Sequence, residues 1–273
     1  MLDLACGNGA VSLVAAEHAK AAGKTFELYG VDAASIEPAK YVTAHAELLR
    51  GVTFKQRALM EQLPYEPGTF DAVFSQFGIE FGEIPRCASE VGRVLKPGGL
   101  FVGLCLAGNT PPVVTAASKQ RQSQFLVNNT KLFDIAVAVV QALHNIESGP
   151  EADGKDTRKY LEKFNAEVKV VMKKFAHADS ETISSIVTSI QNIFVQRKQK
   201  DIREQIGTIL LMKKRVTTRI GRLDTVIRAA LGDSALMSLK RRLGDAGVAG
   251  VTSAPQSAGE AGVVAWRVSG RKV

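Results

Sequence analysis

Two acidic residues and a glycine-rich turn are the first residues in this chain whose types and spacing could bind a ligand. Asp3 lies in a short apolar stretch, and Gly7 and Gly9 follow it in a turn. Glycine lets a ligand approach the backbone because no Cβ stands in the way. Asp32 comes roughly 20 residues after the turn, the spacing expected between a nucleotide loop and the acid that accepts hydrogen bonds from ribose hydroxyls. These residues predict a site for a ligand that carries a nucleoside.

The elements around the turn must hold it at the edge of a sheet. Residues 2–6 read as a buried strand, and the apolar residues after the turn fit a helix that packs back on that sheet. In open α/β sheets, ligands bind at the carboxyl ends of such strands. A dinucleotide fingerprint needs a third glycine or an alanine where this chain has Ser12, which disfavours a nicotinamide cofactor.

The stretch Leu-Asp-Leu-Ala-Cys-Gly-Asn-Gly at residues 2–9 resembles the first motif of class I S-adenosylmethionine (SAM)-dependent methyltransferases. The resemblance implies that the acidic residue and the turn hold the methionine part and the ribose of SAM, and that an apolar residue after the second strand covers the adenine. The residues at those positions are Asp3, Gly7, Gly9, Asp32 and Ile36. An alternative for Asp32 is that it caps the next helix.

Two later motifs extend the resemblance over residues 1–106. Residues 68–73 fit Gly-x-Phe-Asp-x-Val, and residues 93–99 fit Arg-x-Leu-Lys-Pro-Gly-Gly. The family fold implies that Ser75 and Gln76 lie beside the reactive methyl group. The chain has no Asn-Pro-Pro-Tyr run, which argues against methylation of nucleobases or glutamine amides. Within the family, the chain is similar to the methyltransferase type 11 or ubiquinone/menaquinone-biosynthesis-like group.

One stretch departs from the family pattern. The loop that often carries an Asp-Ala pair for the adenine amino group holds Ala58, Leu59 and Met60 here, with Glu61 the nearby acid. The adenine is then expected to be bound mainly by backbone groups and apolar contacts. The first strand also begins directly at Met1, whereas the family usually carries one or two helices before it.

The expected fold is α/β, a Rossmann-like doubly wound seven-stranded sheet with an antiparallel last strand and a helical insertion between strands five and six. The predicted domains are a SAM-binding core at 1–113, a helical cap at 114–243 and a β-hairpin at 244–273 that completes the sheet. The hydrophobic pattern predicts one helix from Pro38 to about Leu49, and separate helices at 202–212 and 220–231. It also predicts a loop around 148–154, and a helix cap at Asp179 and Ser180.

Composition and charge limit the classes of partner that the chain is expected to bind. Residues 1–113 carry nine Lys/Arg and twelve Asp/Glu, whereas the rest carries 26 and 15, so the basic charge belongs to the second part. That charge could meet nucleic acid, but the basic runs are short and lack interleaved aromatic residues, which argues against it. Three scattered cysteines fit a reducing cytoplasm. No apolar run approaches the roughly 18 residues of a transmembrane helix, so no membrane partner is expected.

Methyl transfer from SAM is an in-line displacement, for which the protein must mainly align the two reactants and exclude water. A general base is needed only for an acceptor that starts protonated, and the sequence assigns no catalytic residue. No His/Cys/Asp cluster has metal-ligand spacing. The candidate bases are His18, His45, His144, His177, Tyr160 and Glu80.

The sequence therefore predicts a cytoplasmic, SAM-dependent methyltransferase that acts on a small organic acceptor. The helical insertion is expected to shape the acceptor pocket, to mediate formation of a homodimer, or to do both. Two alternatives remain open at this point: a SAM-binding interaction protein without catalysis, and a nucleic-acid methyltransferase that uses the basic helices.

Overall fold

The computed structural model describes residues 1–44, 46–148, 154–176 and 180–273. His45, His177, Asp179 and most of the predicted 148–154 loop lie outside these residues. The chain divides into two compact units. Residues 1–113 and 228–273 form the sheet unit, and residues 114–227 form the helical unit.

The sheet unit contains one seven-stranded sheet in the order β3-β2-β1-β4-β5-β7-β6. The first five strands pair in parallel, and β7 pairs antiparallel with both β5 and β6. This confirms the predicted Rossmann-like α/β fold with antiparallel closing strands. The strands are β1 (Leu2–Leu4), β2 (Leu28–Asp32), β3 (Val52–Gln56), β4 (Phe70–Gln76), β5 (Leu95–Leu106), β6 (Val248–Ser257) and β7 (Val263–Lys272).

The helices are α1 (Ala10–Ala21), α2 (Pro38–Tyr41), α3 (Ala46–Arg50), α4 (Ile84–Val94), α5 (Pro111–Asn128), α6 (Leu132–Ser148), α7 (Lys155–Lys174), α8 (Glu181–Val195), α9 (Ile202–Ala229) and α10 (Asp233–Asp245). Two predictions are corrected. The single helix expected over 38–49 is two short helices, because Val42 adopts an extended conformation with φ −101° and ψ 96°. The two helices expected over 202–231 are one, α9, because buried Val216 continues the apolar stripe from Ile209.

The core of the sheet unit lies between β1, β4 and β5 and the helices α4 and α10. Leu236, Leu239 and Leu243 recur at helical spacing on α10 and are buried in this core. Residues 228–243, which the sequence assigned to the insertion, therefore belong to the sheet unit. The contact with α4 is close, since a Cβ added at Gly92 would overlap the backbone carbonyl oxygen of Ala246.

The helical unit has a separate apolar core built by α5 to α9. Phe133, Val139, Ile183 and Ile190 are buried in it. The rings of Phe164 and Phe194 meet edge to face, with their centroids 5.1 Å apart. Across the described ranges, no single helix is long and apolar enough to cross a membrane. The pair formed by α5 and residues 132–146, with a bend of 53° between them, is long and apolar enough by length and composition alone.

Candidate functional site

Backbone strain is concentrated at one edge of the sheet. In the described part of the chain, four residues other than glycine have a positive φ: Ala5, Arg57, Phe77 and Asn109. They follow the carboxyl ends of β1, β3, β4 and β5. A left-handed conformation costs a non-glycine residue on the order of 1–3 kcal/mol, and such strain is typical of functional sites. This carboxyl edge is where the sequence places the ligand.

Asp3 is a buried carboxylate beside the glycine turn. It is 1% exposed, and the Ser12 hydroxyl donates a hydrogen bond of 2.8 Å to its Oδ2. Burial raises the pKa of Asp3 from 3.8 to about 6, although hydrogen bonds from Ser12 oppose the shift and the charge of Asp32 adds to it. A cation bound nearby would favour the ionised form. Ser12, which stands where a dinucleotide fingerprint needs a glycine or an alanine, is thus the hydrogen-bond partner of Asp3.

Asp32 joins the end of β2 to the glycine turn. The Gly7 N–H donates to Asp32 Oδ2 and the Ala34 N–H donates to Oδ1, each at 2.8 Å. Each carboxylate oxygen can accept a further hydrogen bond, so both ribose hydroxyls could still be bound. The N-cap of α2 is Glu37. The alternative that Asp32 caps this helix is therefore wrong.

The two glycines of the turn differ in their surroundings. Gly7 has a φ of +51°, and a Cβ added there would meet nothing within 4 Å. Gly9 has a φ of +76°, and a Cβ there would lie 2.8 Å from Cζ of Phe54. Gly9 therefore lets the turn pack against Phe54, whereas Gly7 leaves an open face beside Asp32 that a ligand could occupy.

Further along this edge lie Ile36, which the resemblance assigns to the adenine, and Glu61, the acid near the expected adenine loop. Ile36 is half-buried between β2 and α2. Glu61 accepts a hydrogen bond of 3.0 Å from the Glu83 N–H, at the start of α4. The contact ties the loop after β3 to α4.

Ser75 and Gln76, which the sequence placed near the methyl group, end β4. Ser75 is buried, and its hydroxyl donates to the Leu4 carbonyl at 3.3 Å and accepts from the Ile79 N–H at 2.9 Å. It thereby links β1, β4 and the turn after β4. Gln76 is exposed, so its amide is available to a ligand.

Glu80, a candidate base, lies in the turn that follows Gln76 at the end of β4. It is 5% exposed, its Oε1 accepts a hydrogen bond of 2.7 Å from the Leu106 N–H, and its Oε2 has no partner among the described residues. Burial raises its pKa. The carboxyl group therefore holds the end of β5.

The remaining candidate residues lie elsewhere. His18 and His144 are exposed on α1 and α6, and Tyr160 lies on α7 in the helical unit. Burial raises the pKa of the Cys6 thiol to about 12, so little reactive thiolate forms. The described ranges contain no group of three or more His, Cys, Asp or Glu side chains that could hold a metal ion.

A cavity of about 540 Å³ opens at the opposite edge of the sheet. Met1, Glu27, Phe70 and Lys96 line it, near the amino ends of the parallel strands. Ligands in open α/β sheets bind at the carboxyl ends, so this cavity is not the predicted donor site.

Comparison with known proteins agrees with the geometry. Residues 1–99 match the family described as "Methyltransferase domain". A demethylmenaquinone methyltransferase of Symbiobacterium thermophilum is 34% identical over 114 residues, which are 41% of this chain and 43% of that protein. The enzyme of the same name from Staphylococcus aureus is 36% identical over 117 residues, 41% of this chain and 45% of that one. The chain thus spans less than half the length of these curated relatives.

The solved structures include a SAM-dependent methyltransferase from Mesorhizobium loti. It is 26% identical, with a TM-score of 0.33, and the match covers 39% of this chain and 45% of that one. The family match covers the first motif, the turn at Gly7 and the strands β1 to β4. Residues 1–99 are thus similar to a methyltransferase domain, in agreement with the resemblance carried by the first motif.

Proposed function

We propose that the protein transfers a methyl group from SAM to a small organic acceptor. The observation that carries the proposal is the Gly7–Asp32 contact, which places an open glycine face beside a carboxylate at the carboxyl ends of β1 and β2. The methyltransferase family match over residues 1–99 supports the same donor.

The residues present fit SAM. Asp32 keeps acceptor capacity for the ribose hydroxyls, and half-buried Ile36 offers an apolar surface for the adenine. The buried carboxyl group of Asp3 has a raised pKa, and a positively charged ligand would stabilise its ionised form. SAM supplies a methyl group already activated by a sulfonium. The protein then has to orient the donor and exclude water, with Gln76 at the acceptor side of β4.

The acceptor class follows from the relatives. Two of them are named demethylmenaquinone methyltransferase, so a quinone-like ring with a hydrophobic tail is the acceptor to try first. We include in the proposal a cytoplasmic location, which the free cysteines Cys6, Cys87 and Cys105 favour, and a homodimer formed through the helical unit.

Calorimetric titration with SAM and, separately, with NADH tests the donor assignment. We expect SAM to bind and NADH to give no heat. Release of S-adenosylhomocysteine on addition of demethylmenaquinone or another small acceptor would then establish transfer. SAM binding with no transfer to any acceptor would favour a non-catalytic SAM-binding protein, and a salt-dependent affinity for RNA or DNA would favour a nucleic-acid acceptor.

The variant Asp32→Ala tests the ribose assignment. It removes the acceptor for the ribose hydroxyls, so we expect the dissociation constant for SAM to rise at least about tenfold, the effect of losing one charge-assisted hydrogen bond. Asp71→Ala is the control, because Asp71 is exposed at the amino end of β4 in an ion pair with Lys96. Equal SAM affinity in both variants would contradict the assignment.

A further inference from the structure

The helical unit contains a cavity of about 480 Å³ between α8 and α9, with α5 beside it. Three basic side chains line it: Lys119 from α5, and Arg219 and Arg222 from α9. In the part of the chain that the structure describes, none of these three side chains has a hydrogen bond or an ion pair. The cavity lies wholly within the helical unit.

The basic side chains exceed the acidic ones around this cavity. Arg219 and Arg222 are three residues apart on α9, a spacing at which like charges destabilise a helix. Glu181 is the one carboxylate among the described residues that line the cavity, and it already has an interaction partner. Asp224, on the same helix, accepts a hydrogen bond from the Gln120 side chain at 3.2 Å. Three basic side chains and one carboxylate therefore give the cavity lining an excess of positive charge.

Two hydroxyl groups lie on the same wall as Glu181. Thr182 and Ser185 line the cavity from α8, and Thr182 is only 7% exposed. Its hydroxyl has no hydrogen-bond partner among the described residues. An anionic oxygen in the cavity would accept a hydrogen bond from this hydroxyl.

The rest of the lining is apolar. Ile186 from α8 and Leu223 and Val226 from α9 complete the wall, and Ile186 is buried. A small inorganic anion would leave these side chains without contact. A ligand that has a charged head and a hydrocarbon body would contact both parts of the lining.

We propose that this cavity binds a phosphate ester with an apolar body. A phosphate group carries three acceptor oxygens and a charge of about −1.5 to −2 at pH 7, which suits three cations and two hydroxyls. A ligand carboxylate, with one charge, would compensate only half of the excess positive charge that remains after Glu181 is counted. The site is separate from the SAM site in the sheet unit, so failure of this proposal would leave methyl transfer untouched.

Calorimetric titration of the full chain with octyl phosphate below its micelle concentration tests the proposal, with octyl glucoside as the uncharged control ligand. We expect binding of octyl phosphate and none of octyl glucoside. Inorganic phosphate should bind at least about tenfold more weakly, because it cannot bury a hydrocarbon chain of eight carbons. No binding of octyl phosphate would overturn the proposal, as would equal binding of the two alkyl ligands.

Matched charge variants on α9 locate the site. Arg219→Gln combined with Arg222→Gln should weaken octyl phosphate binding at least about tenfold, through loss of two charge-assisted contacts. Lys214→Gln combined with Arg215→Gln removes the same charge from exposed positions of the same helix and should change it less than about twofold. The thermal midpoint of each double variant shows that it folds. An equal loss of octyl phosphate affinity in the two double variants would overturn the proposed site.

Two further experiments distinguish ligand binding in the pocket from ligand binding to a charged surface. Thr182→Val keeps the shape of the side chain and removes the hydroxyl, so we expect octyl phosphate affinity to fall several-fold. Vesicles of phosphatidylcholine with phosphatidic acid present the same head group in a membrane. Binding to these vesicles without binding to monomeric octyl phosphate would overturn the pocket and indicate a lipid surface instead.

Discussion

At the scale of single residues, the charge of Asp3 connects stability with ligand binding. The side chain is enclosed beside the glycine turn, and its one strong side-chain partner is the Ser12 hydroxyl. Burial penalises the ionised form, so the native state holds the Asp3 proton more tightly than the unfolded chain does. The native state therefore gives up stability at neutral pH to keep a carboxylate at this position. A residue retained at such a cost is expected to contact a ligand.

The raised pKa of Asp3 predicts the sign of the pH dependence of the free energy of unfolding. Since the pKa of Asp3 rises from 3.8 to about 6 on folding, its contribution to the free energy of unfolding should fall as pH rises from about 4 to about 6. The full change is on the order of 3 kcal/mol. Asp3→Asn keeps an acceptor for Ser12 and should remove this fall. Urea unfolding at several pH values, with Asp233→Asn as an exposed control, measures it. Parallel pH curves for wild type and Asp3→Asn would contradict the prediction.

Part of the residue-level site follows from the sequence. Asp3, Gly7 and Asp32 are predicted to meet because the carboxyl ends of adjacent parallel strands share one edge, and the Gly7–Asp32 hydrogen bond agrees with that. The Ser12–Asp3 contact does not follow, since a motif pattern records Ser12 only as an absent glycine. The use of the Ser75 hydroxyl by Leu4 and Ile79 depends on side-chain direction, which spacing alone cannot predict.

At the scale of elements, the close approach of α4 and α10 depends on a glycine. A Cβ at Gly92 would overlap the backbone of Ala246. Gly92→Ala should therefore destabilise the protein by about 1–3 kcal/mol, the usual effect of overpacking. Chemical denaturation measures the change.

The control for Gly92 comes from α9. Gly207 lies in a helix interior, is exposed, and has nothing within 4 Å of an added Cβ. Gly207→Ala should raise the free energy of unfolding by about 0.5–1 kcal/mol, since alanine favours a helix more than glycine does. If both alanine variants shift stability in the same direction, the packing argument for Gly92 is wrong.

Arg93, the arginine of the Arg-x-Leu-Lys-Pro-Gly-Gly motif, fastens a loop to α4. Its guanidinium donates to the carbonyls of Leu63 and Tyr65 and forms two hydrogen bonds of 2.6 and 2.7 Å with Glu90. The Glu90 carboxylate also accepts from the Leu63 N–H at 2.6 Å. The arginine of this motif therefore has a structural role, which is to hold the loop after β3 against α4.

Arg93→Lys should lower the free energy of unfolding by roughly 1–3 kcal/mol, because lysine cannot reproduce the fork of hydrogen bonds. The Arg93 hydrogen bonds lower the pKa of Glu90, so their stabilisation is present above its ordinary 4.5 and is lost as pH falls below the lowered value. The variant and wild type should thus differ more at pH 7 than at pH 3. Arg86→Lys, at an exposed ion pair on the same helix, should have little effect at either pH.

Element existence was easier to predict from the sequence than element ends. The seven strands follow from apolar runs and turn residues, and their order agrees with the family resemblance. The break at Val42 and the continuity of α9 do not follow. Helical propensity over residues 38–49 gives no sign of the extended Val42, and the polar run from Lys213 to Arg219 hides the buried position of Val216. Tertiary packing decides both.

At the scale of the whole molecule, the chain leaves the sheet unit before residues 114–227 and returns to it after them at one place, where hydrogen bonds join the two crossing segments. The Gly108 N–H donates to the Leu231 carbonyl at 2.9 Å, and the Leu231 N–H donates to the Leu106 carbonyl at 2.8 Å. The Trp266 indole N–H also donates to the Leu231 carbonyl at 3.2 Å. The sheet can therefore close without residues 114–227, since strand β7 reaches β5 through contacts within the sheet unit.

A deletion tests whether donor binding belongs to the sheet unit alone. Replacing residues 114–227 by a Gly/Ser linker of about eight residues spans the fastened ends with a flexible chain. We expect cooperative unfolding and a SAM affinity within a few-fold of wild type, because Asp3, Gly7 and Asp32 all remain. Transfer to the acceptor should be lost if the helical unit shapes the acceptor pocket. Adding Asp32→Ala to the deletion should abolish SAM binding. A deletion variant that folds but no longer binds SAM would show that the helical unit contributes to the donor site.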